Sequence, residues 1–80
     1  MPTTSTQLVN VLCGLYRASR GRTVRDCRIA TEIMRISPST LSNWTSGRHP
    51  AAQLDAVLRL MLELPPEDVA TAIRSLLPNP

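Results

Sequence analysis

Eighty residues make one domain, with a core at the small end of what folds without disulfides or a metal. One Trp, one Tyr and no Phe leave Leu, Ile, Val, Met and Ala to build that core. The net charge is +3, with a single histidine and no glycine-rich phosphate loop, so neither a Ser/His/Asp set nor a nucleotide cradle can be assembled; the chain is read as a non-enzyme that needs no cofactor.

Apolar residues recur at helical spacing nearly throughout and no stretch alternates as a strand would, which predicts an all-α, compact five-helix bundle. Helix 1 is expected from about Ser5 to Ala18, with Thr4 and Gln7 as a capping box. Leu8, Leu12, Leu15 and Tyr16, with Val11, form its inward stripe, and Gly14 would allow a close helix crossing. A basic loop, Ser19-Arg20-Gly21-Arg22, follows. Thr23 and Asp26 make a second box-like start, so helix 2 should span about Val24 to Met34. Helix 3 is expected over Pro38 to Ser46, with Ser37 as N-cap, Pro38 at the first position and Gly47 ending it. Pro50 sets up helix 4, about Ala51 to Leu64, with Leu54, Val57, Leu58, Met61 and Leu62 inward. Pro65-Pro66 separates it from helix 5, which places Glu67 and Asp68 in its favourable first turn and carries Val69, Ala72, Ile73, Leu76 and Leu77 before Pro78 stops it. Cys13 and Cys27 read as small buried hydrophobes, and with one histidine and no neighbouring cysteine no metal site is expected. The strongest apolar run, Ala56 to Leu64, is broken by Arg59 and Glu63 and is too short to span a membrane. The segment MPTTSTQLVN has neither the basic start nor the apolar run of a signal peptide, so a cytoplasmic location is expected.

Two features point to a partner. The segment Cys27 to Gly47 holds two short helical patterns around a tight corner at Arg35-Ile36-Ser37: Ala30 and Met34 line one face of the first helix, Leu41 and Trp44 one face of the second. Two helices at a fixed angle, the second polar on its outer face, is the geometry of a helix-turn-helix, whose second helix enters the DNA major groove. Charge is also divided. Residues 1–50 hold seven arginines against two acids, a balance of +5, whereas residues 51–80 balance at −2. A polyanion would therefore meet one side of the molecule only.

From Ala30 to Gly47 the chain resembles the helix-turn-helix of phage lambda-type repressors, Cro proteins and related lysogeny activators. The residues that carry the likeness are Ala30-Thr31, Met34, Arg35, Ile36-Ser37, Leu41-Ser42, Trp44 and Gly47. Pro50 and the leucine-rich helix after it extend the likeness to about Leu62, over a third of the chain. Two departures stand out. Thr31 occupies a position where the family usually has Ala, at the closest approach of the two helices, so they should sit slightly apart there. Arg35 stands where the turn usually has Gly; with φ above zero, a non-glycine residue there costs roughly 1 kcal/mol, which contact with a phosphate would offset.

The resemblance implies that Pro38, Ser39 and Asn43 read base edges, Asn43 being suited to bidentate pairing with adenine. Thr40, Ser42 and Thr45 lie around the same exposed face, the first two beside the bases and Thr45 beside the backbone. Arg20, Arg22, Arg25, Arg35, Arg48 and the loop residue His49 suit phosphates, and Trp44 belongs to the core. Proteins of this kind bind palindromic operators as twofold dimers. Residues 1–80 are thus read as one DNA-binding domain whose helices over about 51–77 also offer a dimer surface, through Ile73, Leu76, Leu77 and Met61. The resulting expectation is a homodimeric phage or prophage repressor that occludes a promoter on double-stranded DNA, relieved by dilution or by an antirepressor or other regulatory protein. An antitoxin, an excisionase-like architectural protein, or a protein-interaction module on the same fold are the alternatives.

Overall fold

The computed structural model describes residues 4–77, and these fold into helices joined by short connections with no strand among them. Helix α1 spans Thr4–Arg20. Helix α2 begins as Asp26–Arg28 and continues as a π-helical segment, Ile29–Met34. Helices α3, α4 and α5 span Pro38–Ser46, Leu54–Leu62 and Pro66–Leu76. The radius of gyration is 11.8 Å, close to the roughly 11–12 Å of a compact domain of this length. Helix α1 is the strut on which α3, α4 and α5 pack, and α4 lies against the π-helical part of α2.

One core joins all the layers. Val9, Leu12 and Cys13 of α1 meet Ile29, Ala30 and Met34 of α2, then Ile36 of the corner, Leu41 and Trp44 of α3, and Ala56, Val57, Leu60 and Leu64 around α4. The expected apolar positions Ala30, Met34, Ile36, Leu41 and Trp44 are all buried. Burial raises the pKa of the Cys13 thiol, against the opposing charge of Arg17, so Cys13 is a neutral core group.

Several boundaries and faces differ from the expectation, each for a local reason. Thr4 is already helical, so it does not cap α1, and the helix runs on to Arg20. Its inward face is centred on Val9, Leu12 and Cys13; Leu8, Leu15 and Tyr16 are half-buried beside it and Val11 is exposed. Gly14 is also exposed, and a Cβ there would meet nothing within 4 Å, so it allows no close crossing. Thr23 does not start α2. Arg25 takes the extended N-cap conformation, and Asp26 forms an ion pair with Arg17, whose Nε also donates to the Val24 carbonyl at 3.1 Å. Cys27 is exposed rather than buried.

Helix α4 starts at Leu54 and ends at Leu62, inside the expected 51–64, because the backbone stays extended to Gln53; the Ala51 N–H is held by Ser5 Oγ at 3.2 Å. Its inward face is Ala56, Val57 and Leu60, so that Leu54, Leu58 and Leu62 point outward and only Val57 and half-buried Met61 keep the inward role assigned to them. Seven apolar residues in nine leave more than one stripe able to face the core, and packing against α1 and the π-helical part of α2 selects the Ala56–Val57–Leu60 face. In α5 Ala72 is buried, Val69, Ile73 and Leu76 are half-buried and Leu77 is exposed. The stop assigned to Pro78 falls outside the described residues. No helix among the described residues is long and apolar enough to cross a membrane.

Candidate nucleic-acid interface

The corner between α2 and α3 begins in the π-helical segment. Thr31 is exposed and its Oγ1 donates to the Cys27 carbonyl at 2.9 Å. Back-bonding of this kind competes with the i→i−4 ladder and bends helices, so Thr31 acts along its own helix and does not wedge α2 from α3, as its size had suggested. The segment ends where the Ala30 carbonyl accepts from both the Arg35 and the Ile36 backbone N–H groups. Arg35 takes the left-handed conformation, φ 59°, ψ 44°, and is the one non-glycine residue with positive φ among those described. The Met34 carbonyl turns toward α4, where Arg59 donates to it from Nε at 3.1 Å and Nη2 at 2.9 Å while Nη1 holds Asp55 at 3.1 Å. One arginine thus ties the corner to α4, a role the sequence pattern did not reveal.

Helix α3 opens as expected. Ser37 is in the extended N-cap conformation and its Oγ accepts from the Thr40 N–H at 3.1 Å, with Pro38 in the first turn. Gly47, φ 83°, terminates it, and the His49 N–H closes onto the Asn43 carbonyl at 3.2 Å. Asn10 of α1 fixes this end through Nδ2, which donates to the Thr45 carbonyl at 3.0 Å. Both ends of α3 are therefore anchored, and Leu41 and Trp44 are the buried stripe.

Opposite that stripe, Ser39, Ser42, Asn43 and Ser46 recur at one-turn intervals and define the outward face. Ser39, Ser42 and the Asn43 carboxamide make no side-chain hydrogen bond among the described residues, although Asn43 is half-buried. Thr40 and Thr45 lie half-buried on the flanks with their hydroxyls engaged, Thr40 with Ser37 Oγ at 2.7 Å and Thr45 with the Ser42 carbonyl at 3.3 Å. Pro38 is exposed at the start of the helix. Ser46 was not singled out from the sequence; its place one turn beyond Ser42 and Asn43 was the available signal, and its Oγ leans back to the Asn43 carbonyl at 3.3 Å.

The basic half divides into tied and free arginines. Arg17 is paired with Asp26, and Arg28 with Glu32 at 2.7 Å. The hydrogen bond that Arg28 Nε donates to the Glu32 carboxylate raises the Arg28 pKa. Arg20 sits over the Tyr16 ring, 5.9 Å from its centroid. Arg22, Arg25, Arg35 and Arg48 are exposed and form no ion pair among the described residues. Arg35 and Arg48 bracket α3, one just before its cap and one just after Gly47; Arg25 caps α2, whose first turn packs on α3. Exposed His49 stands beside Arg48.

The residues expected to form a dimer surface lie on the other side of the sequence. Met61 and Ile73 line an open apolar groove of about 580 Å³ between α4 and α5, while Leu76 and Leu77 are outside its lining. No three His, Cys, Asp or Glu side chains come together among the described residues in a way that could hold a metal ion. Comparison with protein-family models, with curated proteins and with solved structures finds no match for this chain.

Proposed function

We propose that this chain is a sequence-specific double-stranded DNA-binding regulator of transcription, built on a helix-turn-helix of the lambda repressor and Cro kind, with α3 as its recognition helix. One observation carries the reading: α3 turns outward a stripe of short polar side chains, Ser39, Ser42 and Asn43, that have no hydrogen-bond partner among the described residues and are bracketed by Arg35 and Arg48, which form no ion pair there. A helix face kept only for solvent would favour Glu, Lys or Gln, which are better helix formers. Short side chains instead let the helix backbone approach base edges closely, and a free carboxamide matches the adenine N6 and N7 pattern. The left-handed turn at Arg35 supports the same reading, because the resemblance puts a usual glycine there.

In this account Asn43 reads a base, Ser39, Ser42 and Pro38 make the shorter contacts beside it, and Arg20, Arg22, Arg25, Arg35 and Arg48 contact phosphates. Thr40, Thr45 and His49 flank the face. The chain acts as a homodimer on a palindromic operator, since one 8.8 kDa domain covers too few base pairs for useful specificity. Bound over a promoter, the dimer excludes polymerase. The test is to titrate an operator and a scrambled duplex with variants. Arg22→Gln, Arg25→Gln and Arg48→Gln should weaken binding to both duplexes and flatten the dependence on salt, whereas Asn43→Ala should narrow the difference between them. Equal behaviour of all four variants would remove α3 from the interface.

A further inference from the structure

Of the nine residues of α4 only Asp55 and Arg59 are charged, and these pair with each other while Arg59 also holds the Met34 carbonyl. Ala56, Val57 and Leu60 pack inward, and Leu54, Leu58 and Leu62 form an outward ridge that is 69 %, 48 % and 83 % exposed. A helix that is apolar nearly all round is ordinarily buried. Beside the ridge runs the open groove between α4 and α5, walled by Leu58, Met61 and Leu62 on one side and by Val69, Ala70 and Ile73 on the other. The charges around it have one dominant sign. Glu63, which directly follows Leu62, and Glu67 and Asp68 in the first turn of α5 are exposed and form no ion pair among the described residues. Arg74, near the other end of α5, is the one arginine of these two helices without an ion pair there.

We infer that this groove docks a basic amphipathic helix supplied by a different protein. Its form suits a helix. From Leu54 to Leu62 the ridge runs roughly 12 Å along α4, and apolar anchors at i, i+3, i+4 and i+7 of an occupant helix cover roughly 10 Å. The small Ala70 between Val69 and Ile73 leaves room on the opposite wall for a large anchor. Charge selects the partner. Phosphates of a nucleic acid or an anionic lipid surface are repelled by Glu63, Glu67 and Asp68. A second copy laid face to face brings the same three acids against themselves, with one arginine per copy to offset them. The basic half of a second copy fits no better, because Val11 is its one large exposed apolar side chain among the described residues. A foreign helix with Lys or Arg flanking an apolar stripe fills the groove and meets Glu63 and Glu67 at its end. Leu76 and Leu77 lie outside the groove walls, so this occupant leaves the end of α5 to the homodimer of the proposed function. The inference goes beyond that function and requires neither α3 nor DNA.

Anisotropy titration of the DNA-free full chain tests it. The probes are two labelled peptides of about 15 residues, one of Leu and Lys and one of Leu and Glu, each with leucines at i, i+3, i+4 and i+7. Backbone amide chemical shifts locate the bound peptide, and helical circular dichroism with Trp44 fluorescence verifies that each variant is folded. The Leu/Lys peptide should bind wild type about tenfold tighter than the Leu/Glu peptide and shift amides of α4 and α5. Leu58→Asn/Leu62→Asn should weaken that binding about tenfold or more, whereas Leu77→Asn, outside the groove, should leave it unchanged. Glu63→Lys/Glu67→Lys should reverse the preference between the two peptides. Equal binding of the two peptides to wild type, or none, overturns the inference. So does a folded Leu58→Asn/Leu62→Asn variant that binds like wild type, a charge reversal that leaves the preference unchanged, or shifts confined to other helices. A chain that refuses both peptides and sediments as a dimer until Leu58 and Leu62 are replaced overturns it in favour of a second copy on this face. Because DNA is absent, these failures are distinct from a failure of α3 to bind it.

Discussion

Replacing Arg35 with glycine should stabilise the fold and, in the DNA-binding role proposed above, weaken affinity for a duplex. The backbone at this residue is left-handed, φ 59°, ψ 44°, with the Ala30 carbonyl closing on it and on Ile36. An L-residue in this region carries a strain of roughly 1–2 kcal/mol that glycine does not. Glycine's greater freedom in the unfolded chain returns part of this, leaving a net gain of about 0.5–1 kcal/mol. For a domain of this size that raises Tm by roughly 2–8 °C. Arg35→Ala is the control, since it keeps the strain and removes the guanidinium, and its Tm should stay close to that of wild type. Thermal and urea unfolding would be followed by helical circular dichroism and by Trp44, the sole tryptophan, which is 4 % exposed. Both variants should lose affinity for any duplex, with the salt slope falling by about 0.9 if one phosphate contact is removed. A glycine variant that melts at or below wild type would refute the strain argument, as would an alanine variant that gains as much.

Arg59→Ala should destabilise by about 1–3 kcal/mol, because the Met34 carbonyl loses both of its partners there. Asp55→Ala, which breaks only the exposed i,i+4 pair, should cost about 0.3–0.5 kcal/mol or less, and urea denaturation compares the two. Removing the α3 cap with Ser37→Ala should cost about 1 kcal/mol, whereas Asn43→Ala should change Tm little while narrowing the preference for operator over scrambled DNA. The two thiols should separate cleanly: Cys27 alkylates in the native protein and Cys13 only on unfolding. Burial raises the Cys13 pKa above its ordinary 9.0, so the fold favours the neutral thiol. Its contribution to stability is full below the unfolded pKa and lost as pH rises through the folded one, and unfolding free energies measured from pH 7 upward should show a decline that Cys13→Ala lacks.

The corner was the most legible part of the chain because several local rules coincide there. Ser37, Pro38 and Gly47 specify where α3 starts and stops almost independently of the rest, and Leu41 with Trp44 fixes which side turns in. Helix α4 was least legible for the opposite reason. Its leucines outnumber the places the core can take, so periodicity alone could not choose between the Ala56–Val57–Leu60 face and the Leu54–Leu58–Leu62 face; packing against α2 and α1 made the choice. The π-helical segment and the Thr31 hydrogen bond inside it follow no apolar periodicity, and the Arg59 tie spans 25 residues in sequence, so neither leaves a spacing signature. Within the candidate interface the outward stripe was readable from its residues. That the Thr40 and Thr45 hydroxyls fold back onto the chain was not, because their partners are fixed only once the helix has formed.

The measurement that bears most directly on α3 as a DNA-reading helix is a fluorescence-anisotropy titration of the pure protein at two salt concentrations. The duplexes would be DNA from upstream of its own gene and a scrambled version of the same length. Tighter binding to the upstream duplex, with a preference that persists as salt rises while both affinities fall, is the predicted result. Equal, weak binding to both duplexes that vanishes with salt would contradict it, and would leave the arginines of residues 1–50 as a generic basic surface.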